Sequence, residues 1–138
     1  MKKLECILLV DDNEADNTYH KIIITEADVC KHIQIETSGQ KALDYIIKAN
    51  EPNKTELVPK PDLIFLDINM PGMNGFEFLK IYQALEEEKK SRAVVIMLTT
   101  SLNPEDKSKA MGFKDVTEFQ NKPLTVEMLH ELVEKYFY

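Results

Sequence analysis

The chain reads as an α/β protein: a doubly wound parallel sheet of five strands with helices on both faces. Three observations carry that reading. Short apolar runs alternate with helix-period segments five times along the 138 residues, the pattern of successive βαβ units. The runs Leu4 to Val10 and Leu63 to Leu66 are apolar almost throughout, as strands covered on both faces must be. Five strands favour the order 2-1-3-4-5 over the six-stranded dinucleotide-binding order, and right-handed crossovers then place helices above and below the sheet. The expected result is a three-layer (βα)5 sandwich, a single domain over residues 1–138, because the length matches the common domain size and no internal repeat divides the chain.

Each element has a local reason. After the first strand, Leu4 to Val10, Asp12 or Asn13 can cap a helix in which Ala15, Tyr19, Ile22, Ile23 and Ala27 share one face, expected to be the buried one. His32 to Thr37 alternates Ile33 and Ile35 with polar residues, which predicts a half-exposed edge strand. Gly39 opens a second helix with Ala42, Leu43, Ile46 and Ile47 inward, and Leu63 to Leu66 is the third strand. A long third helix begins at Gly75, turns Phe78, Leu79, Tyr82 and Leu85 inward, and runs out into a solvated stretch from Glu86 to Lys90. Ala93 to Leu98 is the fourth strand. Asn103-Pro104-Glu105-Asp106 then supplies a cap, a proline at the first helical position and acids at the positive end of the helix dipole. Val116 to Gln120 is a short fifth strand, and Thr125 caps a last helix carrying Val126, Leu129, Leu132, Val133 and Tyr136 inward.

Composition removes several classes of function. With 24 acidic against 17 basic residues, a net charge of −7 and no long basic run, nucleic acid is not an expected partner. The longest apolar run, Ala93 to Leu98, falls far short of the about 18 residues that span a membrane. The stretch Cys6 to Val10 is too short for a signal-peptide core. A cytoplasmic protein with no membrane association is expected. Cys6 and Cys30 form no CxxC and read as reduced thiols, Cys6 in the core and Cys30 near a loop. His20, His32 and His130 lack metal-ligand spacing and read as packing or surface residues.

In doubly wound sheets, ligands bind beyond the carboxyl ends of the strands where the order reverses, here between strands 1 and 3. Strand 1 ends in Asp11-Asp12, strand 3 in Asp67 followed by Ile68-Asn69-Met70-Pro71-Gly72, strand 4 in Thr99-Thr100-Ser101, and strand 5 leads to Lys122-Pro123. Three carboxylates therefore converge. Two unit charges ~5 Å apart at an effective dielectric of ~20 repel by about 3 kcal/mol, so three such pairs demand positive charge. Lys122 supplies one, and a hard divalent cation the rest. Few carboxylates plus waters suit Mg²⁺ (or Mn²⁺) better than Ca²⁺. A cation beside a carboxylate, a lysine and a threonine hydroxyl is equipment for phosphoryl transfer, with Asp67 as nucleophile, the cation and Lys122 neutralising phosphoryl oxygens, and Thr99 donating a hydrogen bond to one of them.

These motifs carry a resemblance. Ile7-Leu8-Leu9-Val10-Asp11-Asp12-Asn13, the run from Pro61 to Gly75, Val95-Ile96-Met97-Leu98-Thr99 and Lys122-Pro123-Leu124 resemble the receiver domains of two-component response regulators, of the CheY-like, stand-alone type with a flavodoxin-like fold. The resemblance covers nearly the whole chain. It implies that Asp67 accepts a phosphoryl group from a histidine kinase or a histidine phosphotransfer protein. It further implies that Asp12, Asp67 and the backbone carbonyl of Asn69 bind Mg²⁺, with Asp11 acting through a water, and that Lys122 and Thr99 hold the phosphoryl group. It implies a cis peptide before Pro123, and a switch in which Thr99 and Phe119 reshape the face made by the fourth helix, fifth strand and fifth helix. No output domain is expected to follow. The signal would then pass to an effector protein or through a weak homodimer, and the chain would be no enzyme beyond self-phosphorylation from small donors and self-dephosphorylation.

The sequence departs from the family pattern in five places. Thr100 stands where Ala or Gly is usual, and its bulk narrows access to the phosphoryl site. Asn69 and Ser101 flank the path of hydrolytic water and carry no acid or base, so slow to moderate self-dephosphorylation is expected. Phe119 lacks a tyrosine hydroxyl. The segment Glu51 to Lys60 is longer than the usual connection, similar to stand-alone receivers that partner phytochrome-type kinases, and reads as a surface loop away from the site. Three other readings compete. A flavin carrier needs a phosphate loop where Asp11-Asp12-Asn13-Glu14 would repel phosphate. A Mg²⁺-dependent aspartyl-phosphate phosphatase wants a second Asp at position 69, where Asn69 stands. A phosphorylation-independent interaction module of the same fold would not need the complete set of site residues.

Overall fold

The computed structural model describes residues 2–52, 57–90 and 93–138, the side chain of Glu88 excepted. Its elements are β1 (Leu4–Val10), α1 (Glu14–Ala27), β2 (Cys30–Glu36), α2 (Gly39–Ala49), β3 (Leu63–Leu66), α3 (Gly75–Ala84), a 3-10 turn (Glu87–Lys89), β4 (Val94–Thr99), α4 (Pro104–Met111), β5 (Val116–Asn121) and α5 (Val126–Phe137). The strands form one parallel sheet in the order β2-β1-β3-β4-β5.

Side chains alternate across each strand, so an apolar run feeds two cores. Leu8, Val10, Ile64, Leu66, Val95 and Met97 meet α2 (Ala42, Leu43, Ile46) and α3 (Phe78, Leu79, Tyr82) on one side. Ile7, Leu9, Leu63, Phe65, Ile96 and Leu98 meet α1 (Ile24, Ala27) and α5 (Leu129, Leu132, Val133) on the other. The edge strand β2 is only half buried, as its alternation predicts. Side-chain oxygens of Asn13, Ser38, Asn74, Asn103 and Thr125 cap the five helices, each cap worth about 1 kcal/mol. Burial pushes the thiol of Cys6 up to about 12 and that of Cys30, the first residue of β2, up to about 11, so both stay protonated and unreactive.

Two sequence expectations are corrected. The buried residues of α1 are Asn17, His20, Ile24 and Ala27, whereas Ala15, Tyr19 and Ile22 of the expected inner face are exposed. The third helix stops at Ala84, with Leu85 as its C-cap, and Lys90 is not solvated. Its ammonium lies 3.3 Å from Asp115 and 5.6 Å from the centre of the Tyr82 ring. Such a partner, distant in sequence, cannot be read from the charge run alone. The long connection from Glu51 to Lys60 lies partly outside the described residues. Of the part described, Val58 is buried in the core cluster that α2 and α3 line, and the Tyr45 hydroxyl donates to the Pro59 carbonyl at 2.7 Å.

Candidate phosphoacceptor site

The sheet's own hydrogen bonds carry two acids to one place. Beyond the last ladder positions, the Asp67 N–H donates to the Val10 carbonyl at 3.0 Å and the Asp11 N–H to the Glu36 carbonyl at 3.2 Å. Asp11, Asp12 and Asp67 consequently hold carboxylate oxygens within 4.8 Å of one another. Asp11 and Asp67 are buried and Asp12 is exposed. Burial pushes the Asp67 carboxyl up to about 6 and the Asp11 charge adds to this, against the opposing pull of Lys122, the Ile68 N–H and the Thr99 hydroxyl. The three acids fit a small hard dication: an all-oxygen donor set, one exposed ligand leaving room for water, and charge in excess of what Lys122 balances.

Lys122 enters from the end of β5, where its N–H donates to the Thr99 carbonyl at 2.9 Å. Its ammonium is 2.6 Å from Asp11, 2.8 Å from Asp16 and 3.8 Å from Asp67. Burial alone would push this lysine down, but the hydrogen bonds to Asp11 and Asp16 outweigh it and hold the group above its ordinary range. The Lys122–Pro123 peptide is cis.

Thr99 is fully buried and its hydroxyl oxygen accepts from the Ser101 N–H at 3.2 Å. Ser101 turns toward α4, its hydroxyl donating to Asp106 at 2.6 Å, while Thr100 is exposed. The Asn121 amide donates to the Ser101 carbonyl at 2.8 Å, pinning the segment after β4 to the end of β5. Phe119 is half buried and packs on the α2–α3 side of the sheet. Asn69 lies exposed two residues beyond Asp67.

The sequence reading missed the part played by α1. Asn17 donates to the Asp11 carbonyl at 2.7 Å, and Nε2 of the buried His20 accepts from the Leu124 N–H at 3.3 Å. Burial and Lys122 keep the imidazole below its ordinary range, against the pull of Asp16 and Asp11, so His20 is neutral with its proton on Nδ1. The spacing of Asp16, Asn17 and His20 was a usable signal: three polar residues on one turn, on the face that continues into Ile24 and Ala27. Gly75 is equally tied to the site. Its N–H donates to the Ile68 carbonyl at 2.8 Å, and a Cβ there would lie 2.5 Å from the Asp67 carbonyl oxygen and 2.9 Å from Ile68 Cα. Gly72, at φ +75°, makes the turn between them in a conformation that disfavours other residues.

A parallel α/β sheet in this strand order, with three acids, a lysine and a threonine gathered at its switch point, is a doubly wound fold of the flavodoxin-like class. Comparison with known proteins gives the particular one. The model of the response regulator receiver domain matches residues 7–134, and the chain belongs to that family. A two-component response regulator from Cytophaga hutchinsonii shares 31% identity and a TM-score of 0.84 over 97% of both chains. Chemotaxis protein CheY4 of Vibrio cholerae shares 26% and a TM-score of 0.71, over 96% of this chain and 98% of that one. Sporulation initiation phosphotransferase F of Bacillus subtilis is 29% identical over 96% of this chain and 93% of its own. Hybrid signal transduction histidine kinase C of Dictyostelium discoideum is 34% identical over 94% of this chain. The chain spans about a tenth of the length of that kinase, 10%. Among the described residues no helix is long and apolar enough to cross a membrane.

Proposed function

We propose that this receiver domain is a Mg²⁺-dependent switch that takes a phosphoryl group onto Asp67 from a histidine kinase or histidine phosphotransfer protein. The observation that carries it is the convergence of Asp67 with Asp11, Asp12 and Lys122 at one end of the sheet. An Asp67 carboxylate oxygen attacks the phosphorus of a phosphohistidine. A P–O bond forms as the P–N bond breaks, and the leaving imidazole nitrogen takes a proton from solvent. Asp12, Asp67 and the Asn69 carbonyl would hold the cation, with Asp11 acting through a water; when bound, the cation supplies charge neutralisation at the phosphoryl oxygens. Lys122 and the Thr99 hydroxyl would then grip the remaining oxygens, in keeping with the burial of Thr99 at the end of β4 and the 3.8 Å approach of Lys122 to Asp67.

The change would pass to the face of α4, β5 and α5 through Thr99 and Phe119. On that face Glu118 of β5 accepts from Tyr136 and Lys135 of α5, so a shift at one element is felt at the next. Contact with an effector protein, or weak self-association there, would be the output. Incubation with acetyl phosphate and Mg²⁺, read by intact mass, is expected to add one phosphate to the wild type and none to Asp67→Asn. Equal labelling of the two, or none in the wild type, defeats the reading. Lys122→Ala is expected to bind Mg²⁺ yet lose the phosphate-dependent change in amide NMR shifts across α4–β5–α5; an unchanged response removes Lys122 from the switch.

A further inference from the structure

We infer that Asp16 is a positioning residue for Lys122, a second anchor that keeps its ammonium away from Asp67 until a phosphoryl group competes for it. This rests on the assignment of Asp67 as phosphoacceptor. An ammonium offers three protons. In this structure two of its contacts, at 2.6 and 2.8 Å, go to Asp11 and Asp16, and the approach to Asp67 is 3.8 Å, too long for a hydrogen bond. Asp16 is well placed to hold it, because the backbone there is fixed: its N–H donates to the capping side chain of Asn13 at 2.9 Å. It stands apart from the group of three acids that fits a cation.

The two anchors differ in how readily they release. Asp11 is buried and its other oxygen accepts from the Asn13 N–H at 2.9 Å, so it is held in place. The Asp16 side chain is 36% exposed against 8% for Lys122, and water can replace the lysine at its carboxylate. For Lys122 to hydrogen-bond a phosphoryl oxygen on Asp67, the contact that yields is therefore the one to Asp16. Removing its charge while keeping its shape frees the lysine in advance, and the pocket then takes phosphate faster from an anionic donor.

The test is the initial rate of labelling by acetyl phosphate at fixed Mg²⁺, followed by intact mass, for wild type, Asp16→Asn, Asp16→Glu and the same Asp16→Asn change in a Lys122→Ala background. Asp16→Asn is expected to label about fivefold faster, the size of a partly exposed ion pair, and Asp16→Glu to return toward the wild-type rate. In the Lys122→Ala background the gain should shrink below about twofold, since the two residues share one interaction. A rate for Asp16→Asn equal to or below that of wild type overturns the inference while leaving Asp67 as acceptor. So does a fivefold gain that persists without Lys122, because Asp16 would then act only as bulk surface charge. If the wild type takes no phosphate at all, the underlying assignment fails and this inference with it.

Discussion

Asp67→Asn is expected to fold more stably than the wild type in chelator, even as it loses the ability to take phosphate. Asp67 is buried, and its carboxyl is pushed up from 3.8 to about 6 by burial and by Asp11. A carboxyl raised in the folded state binds its proton more tightly there than in the unfolded chain. The folded state is therefore favoured below the unfolded value, and that contribution is lost as pH rises through about 6. Each pKa unit is worth about 1.4 kcal/mol, and the asparagine keeps the shape while removing the charge. The shift from 3.8 to about 6 already sets the attraction to Lys122 against burial and Asp11, so removing the charge is expected to stabilise the fold by about 3 kcal/mol at neutral pH. Thermal melts from pH 4 to 8 should show the two proteins diverging as pH rises, and added Mg²⁺ should narrow the gap by stabilising the wild type. Melting curves that stay parallel across this range would mean that the carboxylates are not strained against one another.

Gly75→Ala should damage the protein although alanine is the better helix former. In an exposed helix interior the change would favour the helix by about 0.5–1 kcal/mol. Here the new methyl would press on the Asp67 carbonyl oxygen at 2.5 Å and on Ile68 Cα at 2.9 Å, and both are backbone atoms that no rotamer change can move. Overpacking of this kind costs about 1–3 kcal/mol, enough to reverse the sign. The atoms displaced belong to the peptide of Asp67, the proposed phosphoacceptor, so labelling by acetyl phosphate should fall along with the urea midpoint. An unchanged midpoint would show that the start of α3 can slide away from β3.

The sheet and most of the site were legible because their physics is local. Leu4 to Val10, Leu63 to Leu66 and Ala93 to Leu98 announce covered strands by being apolar on both sides, the strand count orders the sheet, and the order then brings Asp11, Asp67, Thr99 and Lys122 to one end. What was illegible depends on the site itself. Asn17 and His20 are buried because they serve Asp11 and Leu124, so a hydrophobicity criterion turned α1 the wrong way and offered Tyr19 and Ile22 instead. Asp16 looked like an ordinary acid in a first helical turn. Gly75 looked like a helix start, and its closeness to Asp67 appears only when α3 is docked against β3.

The meagre packing of α4 sets how the proposed switch face would behave in time. Along its eight residues only Ala110 is buried; beyond that, Lys109 lies over the Phe76 ring, and Phe113, just past the helix, stacks on that same ring. Little apolar surface must be surrendered for this helix of about two turns to open, whereas α3 and α5 are anchored by several large side chains each. Backbone amides of α4 thus belong to the weakly protected end of the molecule's opening equilibria. In the proposed switch, Thr99 and the Ser101–Asp106 link would re-seat this helix at little cost to the sheet beneath it.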